Sequence, residues 1–337
     1  MVSLLKYISC LLFALTLTAC SSLPHLSSPY HCEKLRAGID IGSGSTKVLV
    51  AKINKCKKKI IKIVEERNFA FKFKESLHLN GERLPEDLYN KVKTTIDSLK
   101  ANFKARDIEV RAVATEVFRQ AKNGESFISR LSKETNTKIL IINQEKEAQL
   151  GFWGAVAVTE KSPLDIVVWD IGGGSMQITT MRKNHLFSYL GKLASVSFKN
   201  KIIAYQNKLR GSPNPIGKYN ALWAKRTAQE EAKTLDNILK ADSKNKEVIG
   251  IGGVHYFSIK NQLSLKPALP YSQFQMEQQI KERVNWSDRL LSGAYKETEV
   301  SNLILVKAFM ESLKIQTVLP IKVNLATGIL FDESLWQ

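Results

Sequence analysis

Between residues 36 and 142, apolar residues recur with two different periods. Alternating or continuous apolar runs predict β-strands, and an apolar residue at every third or fourth position predicts an α-helix. The resulting order is three strands, then helix, strand, helix and strand, which indicates an α/β fold. The predicted strands are 36–41, 46–53, 60–66, 108–114 and 138–142, and the predicted helices are 85–103 and 124–134.

The segment 166–180 has the pattern of a strand, a tight turn and a returning strand. Its first apolar run ends at Asp170 and is followed by Gly172, Gly173, Gly174 and Ser175. Because glycines lack a Cβ atom, they can turn successive N–H groups toward one point, which forms a concave site for a phosphate. The serine adds a hydroxyl group. Taken alone, the segment has an ordinary glycine-rich hairpin as its less favoured alternative.

The segment 37–51 repeats this pattern, with Asp40 before a turn that contains Ser43, Gly44 and Ser45. Two copies of Asp-Ile-Gly followed by Gly-Ser, about 130 residues apart, indicate two related halves that face each other. Each half then contributes a phosphate loop, and the ligand lies between them. This pairing resembles the actin-like ATPase superfamily, also called the ribonuclease H-like fold. The resemblance implies an α/β fold of two actin-like domains with an interdomain cleft.

The first twenty residues have the order of a bacterial export signal. A basic Lys6 precedes an apolar run that is too short to span a bilayer, and Leu-Thr-Ala-Cys ends at Cys20. That ending resembles a lipobox, whose cysteine becomes the lipidated first residue, and a plain secretory signal is the alternative. We expect a signal peptide at 1–19, then the lipidated cysteine and a flexible tether at 20–35. Because Ser21 gives no acidic retention signal, we expect a membrane-anchored protein on the periplasmic face of the outer membrane rather than the inner one.

The composition adds a formal net charge of +18, which comes mostly from lysine. Such a charge concentrates polyanions near the surface, although a lysine-rich chain with solvated faces is the alternative explanation. The densest lysine run is 55–59, at a predicted turn. The sequence has no zinc-like Cys/His spacing and no nucleic-acid signature beyond charge, so no nucleic-acid partner is expected.

The cysteines add a prediction about the first hairpin. If the turn at 42–44 closes it, Cys32 lies almost opposite Cys56. Cys10 leaves with the signal peptide and the lipid occupies Cys20, so two thiols remain in a compartment where disulfides persist. We therefore predict a disulfide between Cys32 and Cys56. Two free thiols in a flexible entry segment and turn are the alternative.

Two further segments resemble the Ppx/GppA phosphatase family of exopolyphosphatases and guanosine pentaphosphate phosphohydrolases. Residues 113–124 resemble its Thr-x-x-x-Arg segment, which makes Arg119 the phosphate-contacting arginine. Residues 143–154 resemble its Glu-Glu-Ala-Arg-Leu segment, which makes Glu147 the catalytic base. Without the resemblance, Arg119 reads as a surface residue and Glu147 as a carboxylate favoured by a helix N-terminus.

The resemblance covers about residues 36–332, as a short form of the family. A late Gly-x-Gly-Gly loop adds Gly252 and Gly253 to the phosphate-binding residues, and residues 300–313 and 324–332 resemble the family's closing helix pair. The expected domains are 36–146 and 147–322, and the terminal segment 323–337 is a candidate for packing on the first.

One departure concerns the metal. After the triple glycine the family has Ser-Thr-Glu, whereas this chain has Gln177 where that glutamate stands. An amide keeps an oxygen but loses the charge, so the expected Mg²⁺ ion would depend mainly on Asp40, Asp170 and substrate oxygens.

The resemblance implies phosphoryl transfer to water. The loops and Arg119 hold the terminal phosphate, and Glu147, expected ionised at the mouth of the cleft, positions the water. The substrate is polyphosphate or a phosphorylated nucleotide such as guanosine pentaphosphate. Two alternatives stay open, a non-catalytic polyphosphate- or nucleotide-binding lipoprotein and an actin-like kinase or ATPase. Export disfavours the kinase, because ATP is scarce outside the cytoplasm. A homodimer is also left open.

Overall fold

The protein contains two mixed β-sheets, in a computed structural model that describes residues 32–209, 211–293 and 295–337. The predicted signal peptide, lipidation site and most of the tether fall on residues 1–31 and lie outside the described residues. Among the helices that are described, none is both long and apolar enough to cross a bilayer.

The N-terminal sheet has the strand order β3-β2-β1-β4-β5. The first three strands pair antiparallel, and β4 and β5 run parallel to β1. This confirms the predicted order of elements. The strands are β1 (Glu33–Ile41), β2 (Thr46–Asn54), β3 (Lys59–Phe69), β4 (Glu109–Ala114) and β5 (Ile139–Ile141).

The helices of this half include two that the sequence analysis did not predict. Both α1 and α3 are too short to show a helical period, yet each brings a charged side chain to the site described below. The helices are α1 (Phe73–Leu79), α2 (Glu86–Ala105), α3 (Glu116–Gln120) and α4 (Gly124–Thr135), and α5 (Gln144–Thr159) leads into the second half.

The C-terminal sheet repeats the topology of the first, with the order β8-β7-β6-β9-β11-β10. Its first three strands are again antiparallel, and β9 runs parallel to β6 as β4 does to β1. The repeat indicated by the two Asp-Ile-Gly segments is therefore confirmed. The strands are β6 (Ile166–Ile171), β7 (Met176–Arg182), β8 (His185–Gly191), β9 (Glu247–Ile251), β10 (Tyr271–Ser272) and β11 (Thr317–Pro320).

Helices cover this sheet, and the long α11 is almost wholly buried in its core. A π-helical turn, Val254–Ile259, follows β9, and a 3₁₀ turn, Glu333–Leu335, ends the chain. The helices are α6 (Ser195–Tyr205), α7 (Lys218–Lys233), α8 (Asn237–Asn245), α9 (Lys260–Gln262), α10 (Gln273–Arg283), α11 (Lys296–Leu313) and α12 (Leu325–Ile329).

Helices α5 and α12 lie between the two sheets. Phe152 and Ala155 of α5 pack in one apolar cluster with strands β6 and β9. Ala326 and Leu330 pack with β2 instead. The two helices touch closely, because a Cβ added to Gly328 would lie 2.1 Å from the carbonyl oxygen of Leu150. The N-terminus of α5 is therefore held at the junction of the halves.

The end of the chain binds to the N-terminal sheet through Arg36 of β1. The guanidinium donates to the carbonyl of Leu330 at 2.8 Å and to the carboxylate of Glu333 at 2.7 Å. It also lies over the ring of Trp336, 4.2 Å from the ring centroid. These contacts join residues at opposite ends of the sequence. The domain limits 36–146 and 147–322 stay a prediction.

The first hairpin has the register expected from the sequence, with Glu33 opposite Asn54. Just beyond this pair, Cys32 and Cys56 are joined by a disulfide whose Cα atoms lie 5.4 Å apart. The N–H of Lys55 donates to the carbonyl of Cys32 at 2.8 Å, so the hydrogen bonding continues to the disulfide.

Candidate active site

Two Gly/Ser loops lie at corresponding places in the two sheets. The N-terminal loop, residues 42–45, follows the strand that ends near Asp40, and the C-terminal loop, residues 172–175, follows the strand of Asp170. In each loop the first N–H donates to the carbonyl of the fourth residue, at 3.1 and 3.0 Å respectively. The two loops therefore share one turn geometry, as their sequences indicated.

Both loops present backbone donors that the protein does not use. Across residues 32–209, 211–293 and 295–337, six loop N–H groups donate to no protein acceptor, those of residues 43–45 and 173–175. The loops also approach each other, because a Cβ added to Gly173 would lie 3.9 Å from the Cβ of Ser43. Unused N–H groups on two facing loops form a site for an anion.

An acidic pair and a lysine lie beside the loops. Lys47 of β2 donates to Oδ2 of Asp40 at 3.1 Å. Burial opposes the charge of Lys47, but its ion pair with Asp40 outweighs this effect and raises the pKa of Lys47. Burial raises the pKa of Asp170 to about 6, a shift that Lys47 opposes and Asp40 increases. The site therefore brings two carboxylates close enough to repel each other.

Gly252 lies directly against Asp170. A Cβ added to Gly252 would lie 2.2 Å from Oδ1 of that carboxylate, and the φ angle of +80° also favours glycine. Gly253 follows with open space where a side chain would be. Of these two glycines predicted to bind phosphate, the structure places Gly252 at the acidic pair.

The carboxylate of Glu147, at the N-terminus of α5, is the centre of a hydrogen-bond network. It forms an ion pair with Arg119 of α3, and its Oε2 accepts from the hydroxyl of Ser175 at 3.2 Å. The residue is 3% exposed, so the expectation of a carboxylate at the open mouth of the cleft is wrong. Burial raises the pKa of Glu147 to about 7, although Arg119 opposes the shift.

The departure at Gln177 has a structural counterpart. Gln177 lies opposite Asp170 in the β6–β7 pairing and is 3% exposed. Its side-chain N–H donates to Oε2 of Glu147 at 3.3 Å. A carboxylate in this place would face Glu147 with a like charge, whereas the amide gives it a donor.

Three charged residues at the site were not predicted from the sequence, namely Lys47, Lys74 and Glu116. Ser43 donates its hydroxyl to Glu116 at 2.8 Å, and Lys74 donates to the same carboxylate at 2.5 Å. Lys47 stands two residues after the first loop, which is a usable signal. No comparable signal marks the other two, because they lie on the short helices α1 and α3.

Asp40 and Asp170 fit a divalent cation that needs only one or two carboxylate ligands from the protein. Oδ1 of Asp40 is buried and has no hydrogen-bond partner in the described part of the chain. The described residues contain no cluster of three His, Cys, Asp or Glu side chains. Mg²⁺ is commonly bound by one or two carboxylates together with substrate oxygens and water, so Asp40 and Asp170 fit that ion.

Comparison with known proteins identifies the family of the chain. The family model described as the Ppx/GppA phosphatase family matches residues 49–335. The chain belongs to this family. A bifunctional 3-dehydroquinate synthase/phosphatase of Fusobacterium nucleatum is 30% identical over 239 residues, which are 66% of this chain and 33% of that protein. A guanosine-5'-triphosphate,3'-diphosphate pyrophosphatase of Pseudoalteromonas atlantica is 29% identical over 178 residues, which are 52% of this chain and 34% of that protein.

These alignments span about a third of each of the two curated relatives. Solved structures of family members match almost throughout. The Aquifex aeolicus Ppx/GppA member has a TM-score of 0.74 at 19% identity, covering 90% of this chain and 98% of that one. An exopolyphosphatase from Cytophaga hutchinsonii has a TM-score of 0.69 at 16% identity, covering 89% and 97%. The fold is thus that of the family, two actin-like α/β halves.

Proposed function

We propose that the protein is a phosphohydrolase that releases the terminal phosphate of inorganic polyphosphate or of a related phosphoanhydride such as guanosine pentaphosphate. One observation carries the proposal. The buried Glu147, with a pKa raised to about 7, lies in one network with Arg119 and with Ser175 of the C-terminal loop. A carboxylate with a pKa near the working pH suits a general base, and its neighbours suit a phosphate.

In the proposed reaction, the unused N–H groups of the two loops bind the terminal phosphate. Arg119 contacts the same group through its planar set of donors, which matches phosphate oxygens. Glu147 accepts a proton from the attacking water, whose oxygen bonds to the terminal phosphorus as the bridging P–O bond breaks and the shortened substrate leaves on that oxygen. The loops and the arginine stabilise the charge on the transferred phosphoryl group.

We propose Asp40 and Asp170 as the residues that hold Mg²⁺. When bound, the ion would neutralise charge on the bridging and terminal phosphate oxygens. Lys47, which is paired with Asp40 at 3.1 Å, keeps part of the acidic pair neutralised on its own.

Inorganic polyphosphate is our preferred substrate. The net charge of +18 attracts a long polyanion. The predicted export signal also disfavours nucleotides, because they are scarce outside the cytoplasm. Guanosine pentaphosphate stays a candidate, since a relative bears the name of a guanosine-5'-triphosphate,3'-diphosphate pyrophosphatase.

A second candidate function is supported by Gln177. Because this amide replaces the acidic residue of the family motif, a lipoprotein that binds polyphosphate without cleaving it has a specific observation in its favour. The binding loops would be retained in such a protein, and the metal-dependent step would be lost.

Phosphate release decides between these functions. The protein is incubated with polyphosphate or guanosine pentaphosphate, with and without Mg²⁺, and binding of the same compounds is measured in parallel. We expect Mg²⁺-dependent release from polyphosphate. Binding without release would favour the non-catalytic function, and neither binding nor release would exclude both.

A further inference from the structure

Glu116 is a buried carboxylate that the proposed reaction does not use. It is the first residue of α3, the short helix that also carries Arg119, and it is 6% exposed. Arg119 extends to Glu147, whereas Glu116 extends to the two loops. A buried acid next to donors meant for phosphate needs an explanation, because like charges repel strongly at short range.

The contacts of Glu116 join the two halves of the protein. In the N-terminal half, Ser43 donates its hydroxyl to Oε2 at 2.8 Å, and Lys74 donates to Oε1 at 2.5 Å. In the C-terminal half, the carboxylate packs on the backbone of Gly174, since an added Cβ there would lie 2.2 Å from Oε2. The carboxylate therefore lies between one loop and the other.

This position has the donors that a phosphate would use. A hydroxyl and an ammonium already bind the carboxylate, and the N–H groups of Gly173 and Gly174 on the facing loop donate to no acceptor in the described chain. Glu116 is thus an anion of the protein itself, bound where both loops can reach an anion of the substrate.

We propose that Glu116 is a specificity-determining residue that weakens binding of a single phosphate between the loops. Inorganic phosphate must displace or approach this carboxylate, and it makes few other contacts that could offset the repulsion. A polyphosphate chain makes further contacts and tolerates the repulsion better. The released phosphate therefore leaves readily, and long substrates are preferred. This inference rests on the proposed function, because it assumes that phosphate binds between the two loops.

The test is calorimetric titration with inorganic phosphate of the parent, of Glu116→Gln and of the matched control Glu75→Gln. The control removes the same charge from the residue next to Lys74, at an exposed position. Removing a like charge at short range strengthens anion binding by about tenfold or more. We expect that gain for Glu116→Gln, and a change of less than about twofold for the control, as for exposed charges in general. Inhibition of polyphosphate hydrolysis by phosphate should strengthen in parallel.

Unchanged or weaker phosphate binding by folded Glu116→Gln would overturn the inference and would instead make Glu116 a residue that positions Ser43. Should that variant not fold, Lys74→Gln supplies the opposite test. It leaves the carboxylate without its cation, so phosphate should bind about tenfold more weakly than to the parent, and equal binding would overturn the inference.

Hydrolysis of polyphosphate by the parent is measured separately. If the parent cleaves polyphosphate but Glu116→Gln gains no affinity for phosphate, the inference about Glu116 fails and the proposed function stands. If no variant binds phosphate or polyphosphate, both the inference and the proposed function fail.

Discussion

At the scale of single residues, the site depends on which charges are buried together. Glu147 has an arginine as its partner, yet burial still raises its pKa to about 7. Asp170 is partly buried near a second aspartate, and desolvation raises its pKa to about 6 although Lys47 opposes the shift. Both carboxylates thus have pKa values raised toward neutral pH, which suits the roles proposed for them.

A pH profile tests these two shifts. Because a general base acts in its deprotonated form, kcat/KM should rise with pH through a midpoint near 7, where Glu147 loses its proton. Below about pH 6 the loss should steepen, since protonated Asp170 no longer binds a cation. Initial rates of phosphate release at saturating Mg²⁺ measure the profile. A rate that is flat across this range would contradict the role of Glu147.

Gln177→Glu tests the metal site. The added carboxylate should lower the Mg²⁺ concentration for half-maximal activity, because it brings a charged oxygen ligand next to Asp170. It should also move the pH midpoint upward, since a like charge 3.3 Å from Oε2 of Glu147 raises the pKa of that group. Gln316→Glu, at an exposed position, is the control for charge alone. An unchanged metal dependence would show that the charge at this position is not needed here.

At the scale of elements, the site is placed by the crossing of α5 and α12. The position of either helix in the fold could not be predicted from its own sequence, because each packs against a helix that is far away in the chain. The burial of Glu147 was not foreseen from the sequence, because its contacts with Arg119, Ser175 and Gln177 come from distant parts of the chain. The strands within 36–142 and 166–180 were predicted correctly because their apolar runs are long, and glycines mark the turns after β1 and β6. Strands β8 to β11 were not predicted.

Gly328→Ala tests the crossing. A methyl group there would lie 2.1 Å from the carbonyl oxygen of Leu150, so α5 and α12 must separate. We expect unfolding to become easier by about 1–3 kcal/mol, the usual cost of overpacking a core. Chemical denaturation measures it. Gly253→Ala is the matched control, because its added methyl meets no atom within 4 Å and its φ angle is −67°. Equal stability of both variants would contradict the close approach of the helices.

At the scale of the whole molecule, the fold is one pattern used twice, with the candidate site where the two copies meet. The sequence revealed the repeat, because each copy carries the same aspartate and Gly/Ser turn. The family segments also pointed to Glu147 and Arg119, which the structure brings into contact. The sequence did not reveal Glu116 or Lys74, since their importance arises only where a short helix of one half meets the loop of the other.

Cys20→Ser tests the proposed attachment to the cell envelope. A lipid on Cys20 would keep the protein with the membrane fraction, because acyl chains supply most of the binding free energy of such anchors. We expect the variant to move to the soluble fraction or to keep its signal peptide, and labelled fatty acid should no longer be incorporated. Cys10→Ser, a cysteine within the same predicted signal, is the control and should behave like the parent. Continued labelling of Cys20→Ser would contradict lipidation at this cysteine.

The most direct test of the central claim compares hydrolysis and binding of polyphosphate by Glu147→Gln. The substitution removes the proton acceptor and changes the side-chain volume little, while the loops and Arg119 stay in place. We predict that phosphate release falls by about 100-fold or more, the typical contribution of a positioned general base. The dissociation constant for polyphosphate should change by less than about tenfold, because Glu147 is not needed to hold the substrate. Hydrolysis within about tenfold of the parent would contradict the assignment of Glu147 as the base.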